Sequence, residues 1–292
     1  MGYRSVFRDR LFAGRHVVVT GGGSGIGRCT AHELAALGAG VALIGRRPER
    51  LAAVADEIAE TGAARPSIHR CDIRVEEEVE HAVAGILAAH PRIDGLVNNA
   101  GGQFHAPLKD ITQKGWETVV RTNLTGGFLV ARECFRRSME ATGGAIVNII
   151  ADMWRSMPGM GHSGAARAGM LNFTMTAALE WAYAGVRVNA VAPGWIASSG
   201  LATYPPEMRP RLQSLWQQVP LKRLGTESEV SAAIVFLLSE AASFISGSCL
   251  RVDGAVPNAR SNWPLPDHDR SQPYYGFPLE APPDFLRRGG GA

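Results

Sequence analysis

The chain has 292 residues, of which 46% are hydrophobic and 20% charged, with a formal net charge of +3. That balance excludes a disordered chain, and so small an excess of base does not suit a nucleic-acid binder. No stretch approaches the ~20 apolar residues of a membrane helix. Residues 1–15 alternate charge with aromatics and lack a secretory apolar core, and neither end matches a lipidation or peroxisomal signal. A soluble, cytoplasmic protein is the expectation. Four cysteines (Cys29, Cys71, Cys134 and Cys249) lack CxxC spacing, which fits a reducing compartment and no metal site.

In chain order, short β-branched runs alternate with longer amphipathic stretches. A strand at 17–20 leads to a helix at 25–37, then a strand at 41–45 and a helix at 48–61. A strand at 67–72 and a helix at 75–90 follow, then a strand at 95–98 and a helix at 115–139. The series closes with strands at 145–151, 187–192 and 249–253 around helices at 163–184 and 227–240. Thr226 and Glu229 stand at capping-box spacing before the last helix. Seven strands in this alternation predict one α/β domain, a doubly wound seven-stranded parallel sheet over residues 1–255, with no room for a second core.

Two segments break the pattern. Residues 195–224 carry Trp195, Leu201, Tyr204, Met208, Leu212, Leu215 and Trp216 among prolines. They read as a lid over a long apolar substrate, or else as a subunit contact. Residues 256–292 form a Pro-rich extension with seven of the seventeen prolines plus Trp263, Tyr274, Tyr275, Phe277 and Phe285. Proline prevents a helix or central strand there, so its aromatics are expected to pack on a surface.

The first strand runs into Thr20-Gly21-Gly22-Gly23-Ser24-Gly25-Ile26-Gly27 and then a helix. Glycines at such a turn let the backbone approach a pyrophosphate at the helix N-terminus, the arrangement of a Rossmann-type dinucleotide site. Where the second strand ends, an NAD enzyme usually offers a carboxylate to the ribose. Here stand Arg46 and Arg47, which suit a 2′-phosphate and hence NADP(H), although both could simply be solvated residues opening a helix.

The same Gly spacing, followed by Asn98-Asn99-Ala100-Gly101, Asn123 and Pro193-Gly194, resembles the short-chain dehydrogenase/reductase superfamily over residues 14–255. The resemblance implies a hydride-transferring enzyme, usually a dimer or tetramer. It implies that Asp72 contacts adenine, that Asn98, Ala100 and Gly101 support the cofactor, that Pro193, Gly194 and Ile196 also bind it, and that Ser198 binds the nicotinamide carboxamide. It gives Asn123 a water or a helix kink near the site.

That superfamily normally uses a Ser, a Tyr and a Lys four residues after the Tyr. Here Ser163 falls at the Tyr position, Arg167 at the Lys position, and Ala151, within one residue of register, at the serine. The chain has only three lysines (Lys109, Lys114 and Lys222), and none lies in this helix. Residues 98–104 and 162–169 are similar to peroxisomal trans-2-enoyl-CoA reductases, and the first segment also to 2,4-dienoyl-CoA reductases. The former carry a further Tyr and Lys, where this chain has Leu171 and Met175. The Pro-rich tail resembles bacterial relatives assigned to acyclic-terpene and citronellol catabolism.

Serine and arginine do not titrate near neutrality and so are poor acids for a ketone. Reducing a double bond conjugated to a thioester asks chiefly for oxyanion stabilisation and position. Gln103 suits hydrogen bonding to the thioester oxygen, Arg167 the nicotinamide ribose, and Asp152 or His162 the delivery of a proton. Each also has a structural reading: Gln103 as a loop brace, Asp152 as a turn cap or partner of Arg155, and Ser163 as a helix cap. The expectation is an NADPH-dependent reductase of a 2-enoyl-CoA or similar unsaturated thioester. The alternatives are a dehydrogenase of a branched terpenoid alcohol or aldehyde, and a non-catalytic NADP-binding subunit. The partners expected are an acyl-CoA or other long apolar substrate and further copies of the chain, as a homodimer or homotetramer.

Overall fold

The computed structural model describes residues 2–286. Seven parallel strands form one sheet in the order β3-β2-β1-β4-β5-β6-β7. They are β1 (His16–Thr20), β2 (Gly40–Gly45), β3 (Ser67–Arg70), β4 (Gly95–Asn98), β5 (Gly144–Ile149), β6 (Val186–Pro193) and β7 (Cys249–Val252). The central strands are buried on both faces, which is why they read as unbroken Val, Ile and Leu runs rather than alternating ones. Helices α1 (Gly25–Ala36), α2 (Pro48–Ala59) and α9 (Glu227–Leu238) build the core on one face. On the other face the core is built by α3 (Glu76–Ala89), α5 (Gly126–Cys134) and α7 (Gly161–Glu180). Both β2 and β4 pair with β1, so the strand order reverses there, and a crevice opens at their carboxyl ends.

Several boundaries differ from expectation for local reasons. β3 stops at Arg70 because Asp72 turns the chain, accepting from the Arg74 backbone N–H at 3.1 Å. The helix expected at 115–139 is a longer rod, α4 (Gln113–Val120), α5 and α6 (Glu140–Thr142) joined by two wider turns, Arg121–Thr125 and Phe135–Met139. Thr112 caps its start by accepting from Gly115 N–H. β5 ends at Ile149 rather than at 151, releasing Ala151 and Asp152 toward solvent space at the sheet edge. Within 195–224 the chain forms short single turns and α8 (Arg209–Ser214). The Thr226–Glu229 capping box is present. No helix among the described residues is long and apolar enough to cross a membrane.

Beyond β7 the chain runs back over the body. Tyr274 Oη donates to Arg4 O at 2.5 Å and Arg4 N–H to Gly276 O at 2.8 Å. Phe277 is buried against Tyr3 and His32, with ring centroids 6.0 and 4.8 Å away. Phe285 and Leu286 reach the apolar cluster of Leu201, Leu212 and Leu215. Residues 287–292 of the extension lie outside the described residues.

Candidate active site

At the crevice beside β1 a groove of about 570 Å³ is lined by Gly21, Ser24, Gly25, Ile26, Arg46, Arg47, Asp72, Ala100, Gly101 and Ser198 among others. Its floor requires glycine. A Cβ on Gly27 would stand 2.5 Å from Gly21 O, and Gly21 and Gly25 hold φ of +66° and +57°. These close approaches leave the first turn of α1 open to an anion, so the residues fit a dinucleotide pyrophosphate. Two further guanidinium groups, Arg50 and Arg74, join Arg46 and Arg47 in lining the groove. The Asp72 carboxylate is gripped by Arg74 through Nε at 2.9 Å and Nη2 at 2.5 Å, which holds its pKa below the usual value.

Four residues expected at the cofactor line neither this groove nor the larger cavity described below. Thr20 Oγ1 accepts from Asn99 N–H and Ala100 N–H at 3.0 and 2.9 Å, and so shapes the turn after β4. Gly27 serves by its missing side chain, as above. Asn98, at the end of β4, turns inward because strand side chains alternate. Its amide donates to Gly127 O at 2.9 Å and to Asn148 Oδ1 at 3.0 Å, tying β4 to α5 and β5, while Asn99 faces the groove. Ile196 is also buried, bridged to Gly225.

Beyond the carboxyl ends of β5 and β6 lies a second, larger cavity of about 840 Å³. Gln103, Ala151, Asp152, Pro193 and Gly194 line its inner end, and Trp195, Tyr204, Met208, Leu212 and Leu215 its side. The chain after β7 supplies a wall that includes Val256, Ala259 and Leu265, held in part by Arg155 Nη1 donating to Ala259 O. Burial and the neighbouring Asp253 carboxylate raise the pKa of Asp152, although Arg251 and Arg155 partly oppose this. A carboxyl group in that setting keeps its proton to higher pH than an exposed one.

The side chains expected to do chemistry form two connected sets. Asn123 sits in the first wider turn of the long rod and clasps Gly102: its Oδ1 accepts from Gly102 N–H and its Nδ2 donates to Gly102 O, each at 2.9 Å. Arg167 is buried, donates through Nη1 to Ile149 O at 2.5 Å, and presses Nη2 beneath Gly101. Desolvation lowers its pKa to about 10. It therefore supports the groove's floor at Gly101 and, lining neither the groove nor the cavity, is not placed at the ribose as expected. In the second set, Ser163 Oγ donates to Gln103 Oε1 at 3.2 Å, and Gln103 Nε2 donates to Tyr204 Oη at 3.2 Å. Ser163 is fully buried within the first turn of α7 and is not its cap, since the helix opens at Gly161.

His162 is also fully buried. Its Nδ1 accepts from Ser163 N–H, its ring meets Phe104 edge-on at 4.4 Å, and it is not among the residues lining the cavity. Asp152, not His162, thus faces the substrate space. Tyr204 is a polar group of the cavity that the sequence hides, because it stands among the apolar residues of 195–224. Only its position in a segment with no regular structure hinted at more.

The family model described as enoyl-(acyl carrier protein) reductase matches residues 21–256. The chain is 36% identical to a probable 2,4-dienoyl-CoA reductase of Bacillus subtilis (strain 168), over 82% of this chain and 94% of that one. A solved citronellol catabolism dehydrogenase from Pseudomonas aeruginosa PAO1 superposes with a TM-score of 0.79 at 62% identity, covering 87% of this chain and 99% of that one. An actinorhodin polyketide ketoreductase solved with NADPH superposes with a TM-score of 0.79 at 28% identity, covering 87% and 100%.

Proposed function

The chain belongs to the short-chain dehydrogenase/reductase family and is an oxidoreductase; from that premise we propose that it reduces, with NADPH, the carbon–carbon double bond of a 2-enoyl-CoA or similar unsaturated thioester. One observation carries the reading. The cavity beside the groove joins the amide of Gln103 to a carboxyl group of raised pKa, Asp152, and the resemblance sets Ser163 and Arg167 of α7 at the positions where carbonyl reducers hold their phenol and ammonium.

When bound, the nicotinamide supplies a hydride. The chain's residues do the rest. Gly21, Ser24, Gly25 and Ile26 hold the pyrophosphate, and Arg46 and Arg47 favour a 2′-phosphate, a preference supported by the NADPH bound in the ketoreductase relative. Arg167 and Asn123 brace Gly101 and Gly102, and so hold the turn after β4 that would support the bound cofactor. As the β-carbon is reduced, charge moves to the thioester oxygen at the Gln103 end of the cavity. Asp152, protonated and facing the same space, supplies the proton to the α-carbon directly or through water. The apolar side of the cavity takes the acyl chain, with residues 195–224 as its cover.

The test is NADPH oxidation followed at the nicotinamide absorbance, with crotonyl-CoA and decenoyl-CoA against simple ketones. Turnover confined to the thioesters supports the reading. A second reading, oxidation of a branched acyclic terpenoid alcohol such as citronellol, is favoured by the 62% identity to the citronellol catabolism dehydrogenase. Turnover of citronellol with none of the enoyl thioesters selects it.

A further inference from the structure

The helix that normally carries a phenol has serine in its place, yet the site has a phenol. The chain has five tyrosines. Tyr3 is buried beside Cys29 and Phe277, Tyr183 bonds Glu140 at the surface, Tyr274 bonds Arg4 O, and Tyr275 is 59% exposed. Tyr204 alone lines the large cavity among the described residues.

Its hydrogen bonds are unequal. The phenolic oxygen accepts from Gln103 Nε2 at 3.2 Å, whereas its own hydrogen is directed to Met160 Sδ at 3.5 Å. A thioether is a weak acceptor. The phenol therefore has a strong donor behind it and a poor acceptor in front, and a carbonyl oxygen entering the cavity would be the better partner. Donation from Gln103 also polarises the O–H bond, which strengthens it as a hydrogen-bond donor. The orientation of Gln103 is fixed in turn by Ser163 Oγ, which donates to its Oε1 at 3.2 Å from a fully buried position. The relay thus starts at the α7 position where the phenol is missing and ends at a phenol carried on the segment after β6.

We propose that Tyr204 is a catalytic residue whose O–H hydrogen-bonds the substrate's carbonyl oxygen as charge develops there, with Gln103 and Ser163 as positioning residues. This rests on the thioester reading only for which carbonyl it serves. In that reaction hydride adds to the β-carbon, the π pair moves onto the α-carbon and oxygen, and Asp152 gives its proton to the α-carbon and regains one from water. The phenol keeps its proton throughout.

The experiment compares Tyr204→Phe with the wild type, since Phe keeps the ring that packs near Leu212 and Leu215. With decenoyl-CoA, kcat should fall by ~10²-fold while KM changes by less than about three-fold. The absorption band of an enolised acetoacetyl thioester bound to the enzyme should weaken in the same variant. Tyr183→Phe should leave both readouts unchanged. Unchanged kcat and an unchanged enolate band in Tyr204→Phe would overturn the proposal while leaving the reductase reading intact. If the wild type reduces no enoyl thioester, that reading fails, and reduction of citronellal by the two proteins then decides Tyr204 by the same loss of kcat. Turnover of neither substrate overturns both.

Discussion

The groove beside β1 and the cavity beyond β5 and β6 are built by different means. The part of the groove open to an anion is made of backbone: Gly21, Gly25 and Gly27 lie in one turn at the open end of α1. The cavity is made of side chains from distant parts of the chain. Gln103 and Tyr204 are 101 residues apart, and Arg155 is tied to Ala259, 104 residues on. A shared cofactor can be held by a local motif, whereas substrate choice is assembled from segments that vary freely outside the sheet.

That contrast can be broken at either end. The largest effect is expected at Asp152. Asp152→Asn should lower kcat for thioester reduction by ~10²-fold, the scale of a lost general acid. Its raised pKa also sets a sign: reduction needs the protonated form, so the rate should decline as pH rises through that value, and the Asn variant should lose this limb. A pH–rate profile of both proteins checks it. If the limb persists in the variant, another group carries the proton.

A smaller effect belongs to the groove. Replacing Arg46 and Arg47 together with Ala should weaken NADPH binding by ~10- to 100-fold, the scale of charge-assisted hydrogen bonds, and leave NADH nearly unchanged. Fluorescence titration with the two cofactors measures it. Equal loss for both would mean that these guanidinium groups do not read the 2′-phosphate, leaving Arg50 and Arg74 as the cationic lining.

The smallest effect concerns the extension that joins the two regions. Glu280 accepts from Glu227 N–H at 2.8 Å, and Glu227 is buried at the start of α9 with its Oε1 on the Gly25 side. Burial foremost raises both carboxyl groups to a pKa of about 7, with the neighbouring Glu280 adding to the shift of Glu227. A carboxyl whose folded pKa is raised stabilises most below its unfolded value, and that contribution disappears as pH rises through the folded one. Thermal stability should therefore decline between roughly pH 4.5 and 7 from this pair, and Glu280→Gln should reduce the decline by on the order of 1 kcal/mol. Melting curves across that range decide whether the pair is coupled in this way.

The same contrast explains what could be read before the fold was seen. The sheet and the glycine cradle are local features, visible as runs and spacings. The wider turn at Asn123 agrees with the helix kink that the resemblance implies there, although one extra residue in a turn leaves no periodic trace of its own. The motif points Asn98 to the cofactor, yet its direction depends on the face that a four-residue strand presents to α5. Arg74 lay two residues from Asp72 and could have been found as a partner in a tight turn. Tyr204 could not be found that way. An apolar neighbourhood hides a phenol's polar role until its partner is known, and that partner is set by tertiary structure alone. Prolines after Ala255 predicted an extended path without indicating that it walls the cavity.

The central claim is that this cavity serves a conjugated thioester. The measurement that tests it most directly is NADPH oxidation by the purified protein with decenoyl-CoA, alongside NADP⁺ reduction with citronellol at matched enzyme concentration. The account predicts thioester-dependent loss of NADPH absorbance, with the saturated acyl-CoA as product and little alcohol oxidation. Rapid citronellol oxidation, with decenoyl-CoA left untouched, would contradict it.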